Sequence, residues 1–247
     1  MMIKVNVRAV LVGVLLMLVL AGGVLFLKKG KAAALAAQKR PPLPVGMAIY
    51  KPRLKVKGSD ASPVKIVEFS DFECPSCRMS QDALKELFRK YPGAIQLTFM
   101  HFPLQSHRWS IYAHQASECM NAQGKFWNFH DKVYDKQRDW SASAVPPVEI
   151  LIQYAQENGA DMTRFSACLS DVAVTREIYS EKEEGARQQV NATPTFFIAG
   201  QRFVGPKELK ERGENMIRAI LGLPPIPVVV TEPVKNPPPK PAVPLKK

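Results

Sequence analysis

The residues of this sequence best suited to chemistry are four cysteines, Cys74, Cys77, Cys119 and Cys168. The first two form a Cys-x-x-Cys motif, in which two residues separate the thiols. This spacing puts the second thiol one helical turn beyond the first, where it can attack a mixed disulfide formed by the first. A thiolate is the attacking form in such exchange. The motif therefore indicates thiol–disulfide chemistry.

Two predicted elements position this motif. Residues 64–70 are apolar and β-branched and predict a strand, while residues 75–90 carry apolar side chains near a 3.6-residue period and predict a helix. Pro75 suits the first position of that helix. Unpaired N–H groups and a partial positive charge at a helix N-terminus stabilise a thiolate on Cys74.

Two other interpretations of the motif remain open. A zinc site would need two further ligands, and the nearest histidine pair, His101 and His107, is too distant from Cys77 for a zinc finger. A structural disulfide across so short a loop would gain little stability. The histidines, including His114 and His130, are expected to have surface or packing roles, and the three tryptophans are expected to pack in the helical region.

The remaining elements complete an α/β fold. Residues 94–102 predict a second strand, which forms a parallel βαβ unit with the first strand and helix. Residues 107–188 are predicted to be mostly helical. Strands at 195–199 and 201–204 flank Gly200 as a hairpin, and a last helix covers 206–221. The predicted order is β-α-β, a helical block, then β-β-α.

The charge of the chain is concentrated outside the predicted globular region. The formal net charge is +12 over 247 residues, but residues 1–59 hold eleven basic residues and no acidic one. Residues 60–223 hold nineteen basic and twenty-one acidic residues. A folded domain that grips a phosphate backbone needs a basic surface. The distribution therefore argues against nucleic-acid binding.

The two ends of the chain are predicted to lie outside the globular domain. Residues 9–27 contain no charge and, as a helix, would span about 28 Å, close to the thickness of a bilayer. An uncleaved membrane anchor is favoured over a cleaved signal peptide, with residues 1–8 in the cytoplasm and residues 28–62 as a tether. Residues 224–247 contain nine prolines and predict a solvated tail or a docking segment.

The orientation of this anchor is predicted from two opposing signals. Lys28, Lys29 and Lys31 follow the apolar run, and the positive-inside rule would place them in the cytosol. An even number of cysteines behind an export-type N-terminus instead suits an oxidising compartment. We expect the domain to face the periplasmic or extracytoplasmic side.

Several motifs in collinear order resemble the DsbA-like thiol–disulfide oxidoreductases, and most closely their membrane-tethered branch. They are FSDFECPSC around the cysteine pair, HFPL at 101–104, QGKFW at 123–127 and TPTFF at 193–197. The resemblance covers about residues 62–222. It implies a thioredoxin-like fold over 63–223, interrupted by a helical domain at about 105–188.

The resemblance also implies roles for individual residues. Cys74 would be the exposed nucleophile and Cys77 the buried resolving thiol. Pro194 matches a cis-proline that faces the pair, and the backbone of Thr193 would pair with an extended substrate peptide. Glu68 matches a buried acid that relays the proton of the second cysteine. The alternative for Glu68 is a surface or edge-strand carboxylate.

Between the cysteines this sequence departs from the strongly oxidising members, because Ser76 follows Pro75 where those members carry histidine. A cationic neighbour stabilises the reduced thiolate, whereas Ser76 can only form hydrogen bonds. A reduction potential changes by about 30 mV for each 1.4 kcal/mol, so the loss of one charge matters at that scale.

Cys119 and Cys168 both fall in the helical block and are expected to form a structural disulfide. Related membrane-tethered proteins often carry such a second pair. Two free buried thiols and a second redox relay are the alternatives.

Together these features predict a membrane-anchored enzyme that forms disulfides in exported cysteine-containing proteins. A membrane partner of the quinone-linked oxidase kind would reoxidise it. Because the two sulfurs carry the chemistry, we expect no metal and no organic cofactor. A reductase or isomerase on the same fold, a reductant facing the cytosol and a non-catalytic envelope interaction module are the alternatives.

Overall fold

The computed structural model describes residues 54–227, which form a five-stranded sheet with helices packed against it. The strands are β1 Lys55–Lys57, β2 Val64–Ser70, β3 Ile95–His101, β4 Thr195–Ile198 and β5 Gln201–Val204. Their order across the sheet is β1-β3-β2-β4-β5. β2 and β3 are parallel, and the other neighbouring strands are antiparallel. The strand that leads to the cysteine pair is therefore central in the sheet.

The βαβ unit predicted from the sequence is confirmed. Helix α1, Pro75–Lys90, connects β2 to β3, and the two strands pair in register from Val64 opposite Ile95 onwards. Alternate residues of β3 are buried, as the pleat of a strand requires. Leu84 and Leu87 of α1 pack in one apolar cluster with Ile95. This packing holds α1 against the sheet.

The predicted helical block is also observed between β3 and β4. Its helices are α2 Ser110–Asn121, α3 Phe126–Asp135, α4 Gln137–Ser141, α5 Val148–Glu157, α6 Met162–Leu169 and α7 Val172–Arg187. Phe72, Cys74 and Cys77 share one buried apolar cluster with Tyr134 and Trp140 of this block. The helical block therefore packs directly on the segment that carries the cysteine pair.

The C-terminal part follows the predicted β-β-α order. β4 and β5 form a hairpin across Ala199 and Gly200, which both have positive φ angles of 49° and 77°. Two successive residues with positive φ are typical of a tight hairpin turn. The last helical segment comprises α8 Gly205–Glu208, a π-helical turn at Leu209–Gly213 and α9 Glu214–Ile220.

The sheet begins earlier in the chain than the sequence predicts. Strand β1 lies inside the segment predicted as a tether over residues 28–62, and it pairs with β3 at the edge of the sheet. Lys55 in this strand is buried and its Nζ lies 2.5 Å from oxygens of Glu118 and Glu181. Those partners are more than sixty residues away in sequence. The basic residues of this segment therefore predict a tether from the sequence alone, although contacts with distant residues make the segment a strand.

The predicted membrane anchor at 9–27 lies outside the described residues, as does the tail beyond residue 227. Across residues 54–227, the helices are all too short or too polar to cross a membrane.

Candidate functional site

Cys74 and Cys77 lie where β2 gives way to α1. Cys74 caps the N-terminus of α1 in an extended backbone conformation, and Pro75 occupies the first turn. The exposed position expected for Cys74 is wrong, because Cys74 is also buried, with 7% of its surface exposed, where the helical block packs on this segment. Cys77 is fully buried one turn along the helix. The two thiols are free in this structure.

The two thiols have opposite pKa shifts. A hydrogen bond from Cys77 lowers the pKa of Cys74 to about 5 against the opposing effect of burial, and the backbone N–H groups of Cys77 and Ser76 contribute to the lowering. Burial raises the pKa of Cys77 well above its ordinary value, and the neighbouring Cys74 raises it further. These opposite shifts make Cys74 the thiol that ionises first.

Thr193 and Pro194 face this thiol from the start of β4. The peptide bond between them is cis, and the carbonyl oxygen of Thr193 accepts a hydrogen bond from Cys74 Sγ at 3.4 Å. Thr193 is separated from Cys74 by 119 residues in sequence. The fold thus brings together the two segments that the sequence analysis singled out.

Glu68 lies on the central strand β2 and is fully buried, which places it away from the surface and from the sheet edge. Its Oε1 accepts hydrogen bonds from Ser70 Oγ at 2.8 Å and Gln81 Nε2 at 3.2 Å. Its Oε2 has no hydrogen-bond partner among residues 54–227. Burial raises the pKa of Glu68 to about 7 despite these two bonds.

Ser70 and Gln81 connect Glu68 with the buried thiol. A hydrogen bond with Ser70 acts to lower the pKa of Cys77, and Gln81 Nε2 donates to the carbonyl oxygen of Cys77 at 3.4 Å. Ser70 Oγ also lies 2.9 Å from the hydroxyl of Tyr134 on α3. Glu68, whose pKa is raised to about 7, is thus connected through Ser70 and Gln81 to the segment that carries Cys77, an arrangement that suits proton transfer.

Asp71 is a buried site residue that the sequence analysis missed. Its backbone N–H donates to Cys77 Sγ at 3.4 Å, and its carbonyl accepts from the N–H of Cys74 at 3.1 Å. Its carboxylate accepts from Ser110 Oγ at 2.7 Å and from the backbone N–H of Leu104 at 2.7 Å. Asp71 therefore ties the turn between β2 and α1 to the segment that follows β3.

Two histidines also reach this carboxylate. His107 Nδ1 lies 2.8 Å from Asp71 Oδ2, and His114 Nε2 lies 3.7 Å from Asp71 Oδ1. Burial acts to raise the pKa of Asp71, but these two histidines outweigh it and hold the pKa well below its usual range. The sequence spacing of His107 predicted no more than a surface or packing role. The sequence signal that could have identified Asp71 is an aspartate three residues before the first cysteine, which is weak evidence on its own.

A chain of buried polar groups continues from His114 away from the thiols. His114 Nδ1 lies 2.5 Å from His101 Nδ1, and His101 Nε2 lies 2.8 Å from Glu118 Oε1. Glu118 in turn contacts Lys55, which also contacts Glu181. The chain therefore links the cysteine site to strand β1 and to helices α2 and α7.

Cys119 of α2 and Cys168 of α6 are joined by a disulfide and are buried. They lie in the same apolar cluster as the Cys74–Cys77 pair but belong to the helical block. Within residues 54–227, His, Cys, Asp and Glu side chains form no group of three or more that could hold a metal ion.

Known proteins share both the sequence pattern and the fold. Residues 52–216 match the thioredoxin family. Alpha-DsbA1 from Wolbachia pipientis has a TM-score of 0.61 and 24% identity over 70% of this chain and 92% of its own. BdbD from Bacillus subtilis has a TM-score of 0.57 and 24% identity over 67% of this chain and 93% of its own. At this identity the likeness to both proteins shows the fold.

The curated relatives that match this sequence are named as Na(+)/H(+) antiporters. The Na(+)/H(+) antiporter NhaA 1 of Mycolicibacterium vanbaalenii is 31% identical over 189 residues, which are 73% of this chain and 29% of that protein. NhaA 3 of Salinispora tropica is 32% identical over 156 residues, 63% of this chain and 23% of that protein. This chain thus spans less than a third of the length of either relative.

Proposed function

Because this chain belongs to the thioredoxin family and has the fold of DsbA-like thiol–disulfide oxidoreductases, we propose that it forms disulfides in exported cysteine-containing proteins. In this proposal residues 9–27 anchor the chain in the cytoplasmic membrane, and the domain works on the extracytoplasmic side. Cys74 is the nucleophile and Cys77 the resolving thiol.

The opposite pKa shifts of the two thiols carry the proposal. A thiol whose pKa is about 5 is a thiolate at neutral pH, so the reduced form is stabilised relative to an ordinary dithiol. Stabilisation of the reduced form makes the corresponding disulfide a stronger oxidant. We therefore expect electrons to flow from the substrate to the Cys74–Cys77 pair.

The reaction proceeds in two exchange steps. A substrate thiolate attacks Cys74 Sγ of the oxidised pair, which forms a mixed disulfide and releases the Cys77 thiolate. Glu68 returns a proton to Cys77 through Ser70, since its pKa of about 7 lets it hold that proton. A second substrate thiolate then attacks the substrate sulfur bound to Cys74. The substrate now contains a disulfide. The enzyme has gained two electrons and is left with the Cys74 thiolate and the protonated Cys77 thiol.

The enzyme must then lose these two electrons. We propose a membrane partner of the quinone-linked oxidase kind as the acceptor, because an anchor in the same bilayer raises the effective concentration of the two proteins. For the substrate, we propose that the backbone of Thr193 beside the cis-proline Pro194 pairs with an extended peptide.

The reduction potential of the Cys74–Cys77 pair tests this proposal. It is measured by equilibration with glutathione buffers and quantification of thiols, with Cys77→Ser as a variant that should accumulate mixed disulfides through Cys74. We expect a potential clearly less negative than the value of about −270 mV for thioredoxin. A value near that of thioredoxin would instead assign a reductase.

A reductase or isomerase is the second candidate, and the identity of Ser76 favours it. This residue lies between the cysteines and brings a hydroxyl and no charge, so the motif itself lacks a cation that would stabilise the reduced form. Trapping of thiols in intact cells distinguishes the candidates, since an oxidase is mostly oxidised in the steady state and a reductase mostly reduced.

A further inference from the structure

An aromatic groove lies between helices α1 and α3, where the helical block meets the first helix of the sheet domain. Its cavity has a volume of about 180 Å³ and is lined by Leu84 and Phe88 of α1 and by Trp127 of α3. Phe88 and Trp127 pack against the apolar cluster of the sheet but are only partly buried. Both rings therefore leave apolar surface in an open cavity, which we call the α1–α3 groove.

Polar groups also line the α1–α3 groove. The ammonium group of Lys57 lies 5.2 Å from the ring centroid of Trp127 and 5.9 Å from that of Phe88. His130 is almost fully buried, and its Nδ1 lies 2.8 Å from Asp131 Oδ1. Its Nε2 has no hydrogen-bond partner within the described part of the chain. A buried polar atom without a partner costs free energy, so an occupant of the groove that brings a donor group would be favoured.

The described part of the chain ends beside this groove. Arg218 of α9 donates to the carbonyl oxygen of Pro224, and its guanidinium also donates to the hydroxyl of Tyr91 at 3.3 Å. Tyr91 follows the last residue of α1 and lies three residues after Phe88. The residues that follow Pro227 therefore start close to the end of α1 that carries Phe88.

The segment at 236–241 has the composition that suits an aromatic groove, since it reads Asn-Pro-Pro-Pro-Lys-Pro. Consecutive prolines favour a polyproline II helix, and such segments dock in aromatic-lined grooves because their conformation is already restricted. Pro237 lies ten residues after Pro227, a length of about 31 Å at about 3.1 Å per residue. The whole of α1, with 16 residues, is about 24 Å long. The chain is therefore long enough to bring the proline run to the groove.

We propose that residues 236–241 dock in the α1–α3 groove of their own chain, with proline rings packed on Phe88 and Trp127. The side-chain amide of Asn236 can supply the donor that His130 Nε2 lacks, and Lys57 can donate to a proline carbonyl oxygen. This inference goes beyond the proposed disulfide exchange and does not depend on it.

Charge neither drives nor prevents this docking. Lys57 lies 3.9 Å from Asp131 and Lys85 lies 3.7 Å from Asp135, so the charges that line and border the groove cancel in pairs. The proline run itself carries no charge. Packing on the aromatic rings is therefore the contribution that the test has to isolate.

Photo-crosslinking of the purified full chain tests the proposal. The photoreactive residue p-benzoylphenylalanine replaces Ala242, next to the segment, and mass spectrometry locates the crosslinked peptide. We expect crosslinks to residues 81–88 of α1 or 126–131 of α3. An equally large cavity in the helical block is lined by Leu151 and Phe165 and serves as the comparison. Crosslinks to that cavity, to other surfaces or to nothing in the chain would overturn the proposal.

A proline variant separates the segment from the photoreactive group, which is itself apolar. Joint replacement of Pro237, Pro238 and Pro239 by alanine removes the restricted conformation and keeps the length of the segment, so it should lose most of the crosslink to the groove. Joint Pro233→Ala and Pro244→Ala is the matched control, because it leaves the proline run intact and should keep the crosslink. Equal yields from these two variants would overturn the proposal.

Isotope labelling distinguishes docking within one chain from docking on a second copy. Chains of natural isotope content are mixed with chains labelled uniformly with ¹⁵N before illumination. We expect crosslinked peptides in which the tail and the groove carry the same label. Peptides that combine a labelled tail with an unlabelled groove would assign the occupant to a neighbouring chain and would overturn the proposal.

Discussion

At the scale of single residues, the same chemical group acquires different properties from its surroundings. Cys74 at the N-terminus of α1 receives hydrogen bonds from Cys77 and from backbone N–H groups, which lower its pKa to about 5. Cys77, one turn further along, is fully buried, and its pKa is raised. Position relative to the helix end thus gives the two thiols opposite pKa shifts.

Glu68 provides a prediction about stability at this scale. Burial raises its pKa from 4.5 to about 7, so the folded chain binds more protons than the unfolded chain between these values. Its stabilising contribution is therefore complete below pH 4.5 and is lost as the pH rises through 7. Glu68→Gln should remove this loss, which is about 3 kcal/mol at pH 8.

The measurement is urea unfolding at pH 5 and pH 8 with Cys74 and Cys77 reduced. The variant should gain stability relative to the unmodified protein at pH 8 and lose most of that advantage at pH 5. Glu86→Gln on α1 is the control, because Glu86 is exposed and its pKa is lowered by Lys90. A difference between Glu68→Gln and the unmodified protein that is the same at both pH values would contradict the prediction.

At the scale of secondary-structure elements, Lys55 joins β1 to the helical block. Burial acts to lower the pKa of Lys55, but Glu118 of α2 and Glu181 of α7 outweigh that effect and raise the pKa. Removal of one partner from a buried ion pair costs about 3 to 5 kcal/mol, because the remaining charges stay buried. Lys55→Ala should therefore destabilise the domain by that amount in urea unfolding.

Lys57 in the same strand offers the matched control. Its ammonium group lies 3.9 Å from Asp131 Oδ2, and both side chains are more than a third exposed. An exposed ion pair contributes at most about 1 kcal/mol. Lys57→Ala should thus cost much less than Lys55→Ala, and equal losses would show that the buried ion pairs do not hold β1 in place.

The elements differ in how far the sequence predicts them. Strand β2, helix α1 and the hairpin around Gly200 follow from local periodicity, proline position and turn residues, and the structure confirms them. Strand β1 does not, because its pairing with β3 and the contacts of its buried Lys55 with Glu118 and Glu181 come from distant parts of the chain. The π-helical turn at Leu209–Gly213 likewise has no local signal that the sequence analysis used.

The residues of the candidate site also differ in how far the sequence predicts them. The spacing of the Cys-Pro-Ser-Cys motif marks the thiols, and a family resemblance adds Glu68 and Pro194. Asp71 and His107 were missed because their importance lies in a contact between segments 36 residues apart. A histidine in a sequence looks the same whether it faces solvent or a buried carboxylate.

At the scale of the whole molecule, the charge of +12 lies at the ends of the chain. Residues 60–223 are nearly neutral, with nineteen basic and twenty-one acidic residues. A basic surface for nucleic acid is therefore not expected on the domain. The basic residues instead flank the apolar run at 9–27, which is predicted to be a membrane anchor, and fill the segment that follows it.

The orientation of the proposed membrane anchor is the last prediction. Lys28, Lys29 and Lys31 after the apolar run favour a cytosolic domain, but the positive-inside rule weakens when a long domain follows. The disulfide between Cys119 and Cys168 requires an oxidising compartment in most organisms. We therefore expect the domain on the extracytoplasmic side, despite the lysines.

Reporters fused to the C-terminus of the full chain test this orientation. A phosphatase that is active only after export should be active, and a fluorescent protein that matures only in the cytosol should stay dark. A variant with Lys28, Lys29 and Lys31 replaced by glutamine should keep the same orientation, because these lysines oppose it. A fluorescent C-terminal reporter together with an inactive phosphatase would place the thiol pair in a reducing compartment. Its thiolate would then act as a reductant, and the assignment as a disulfide-forming enzyme would fail with it.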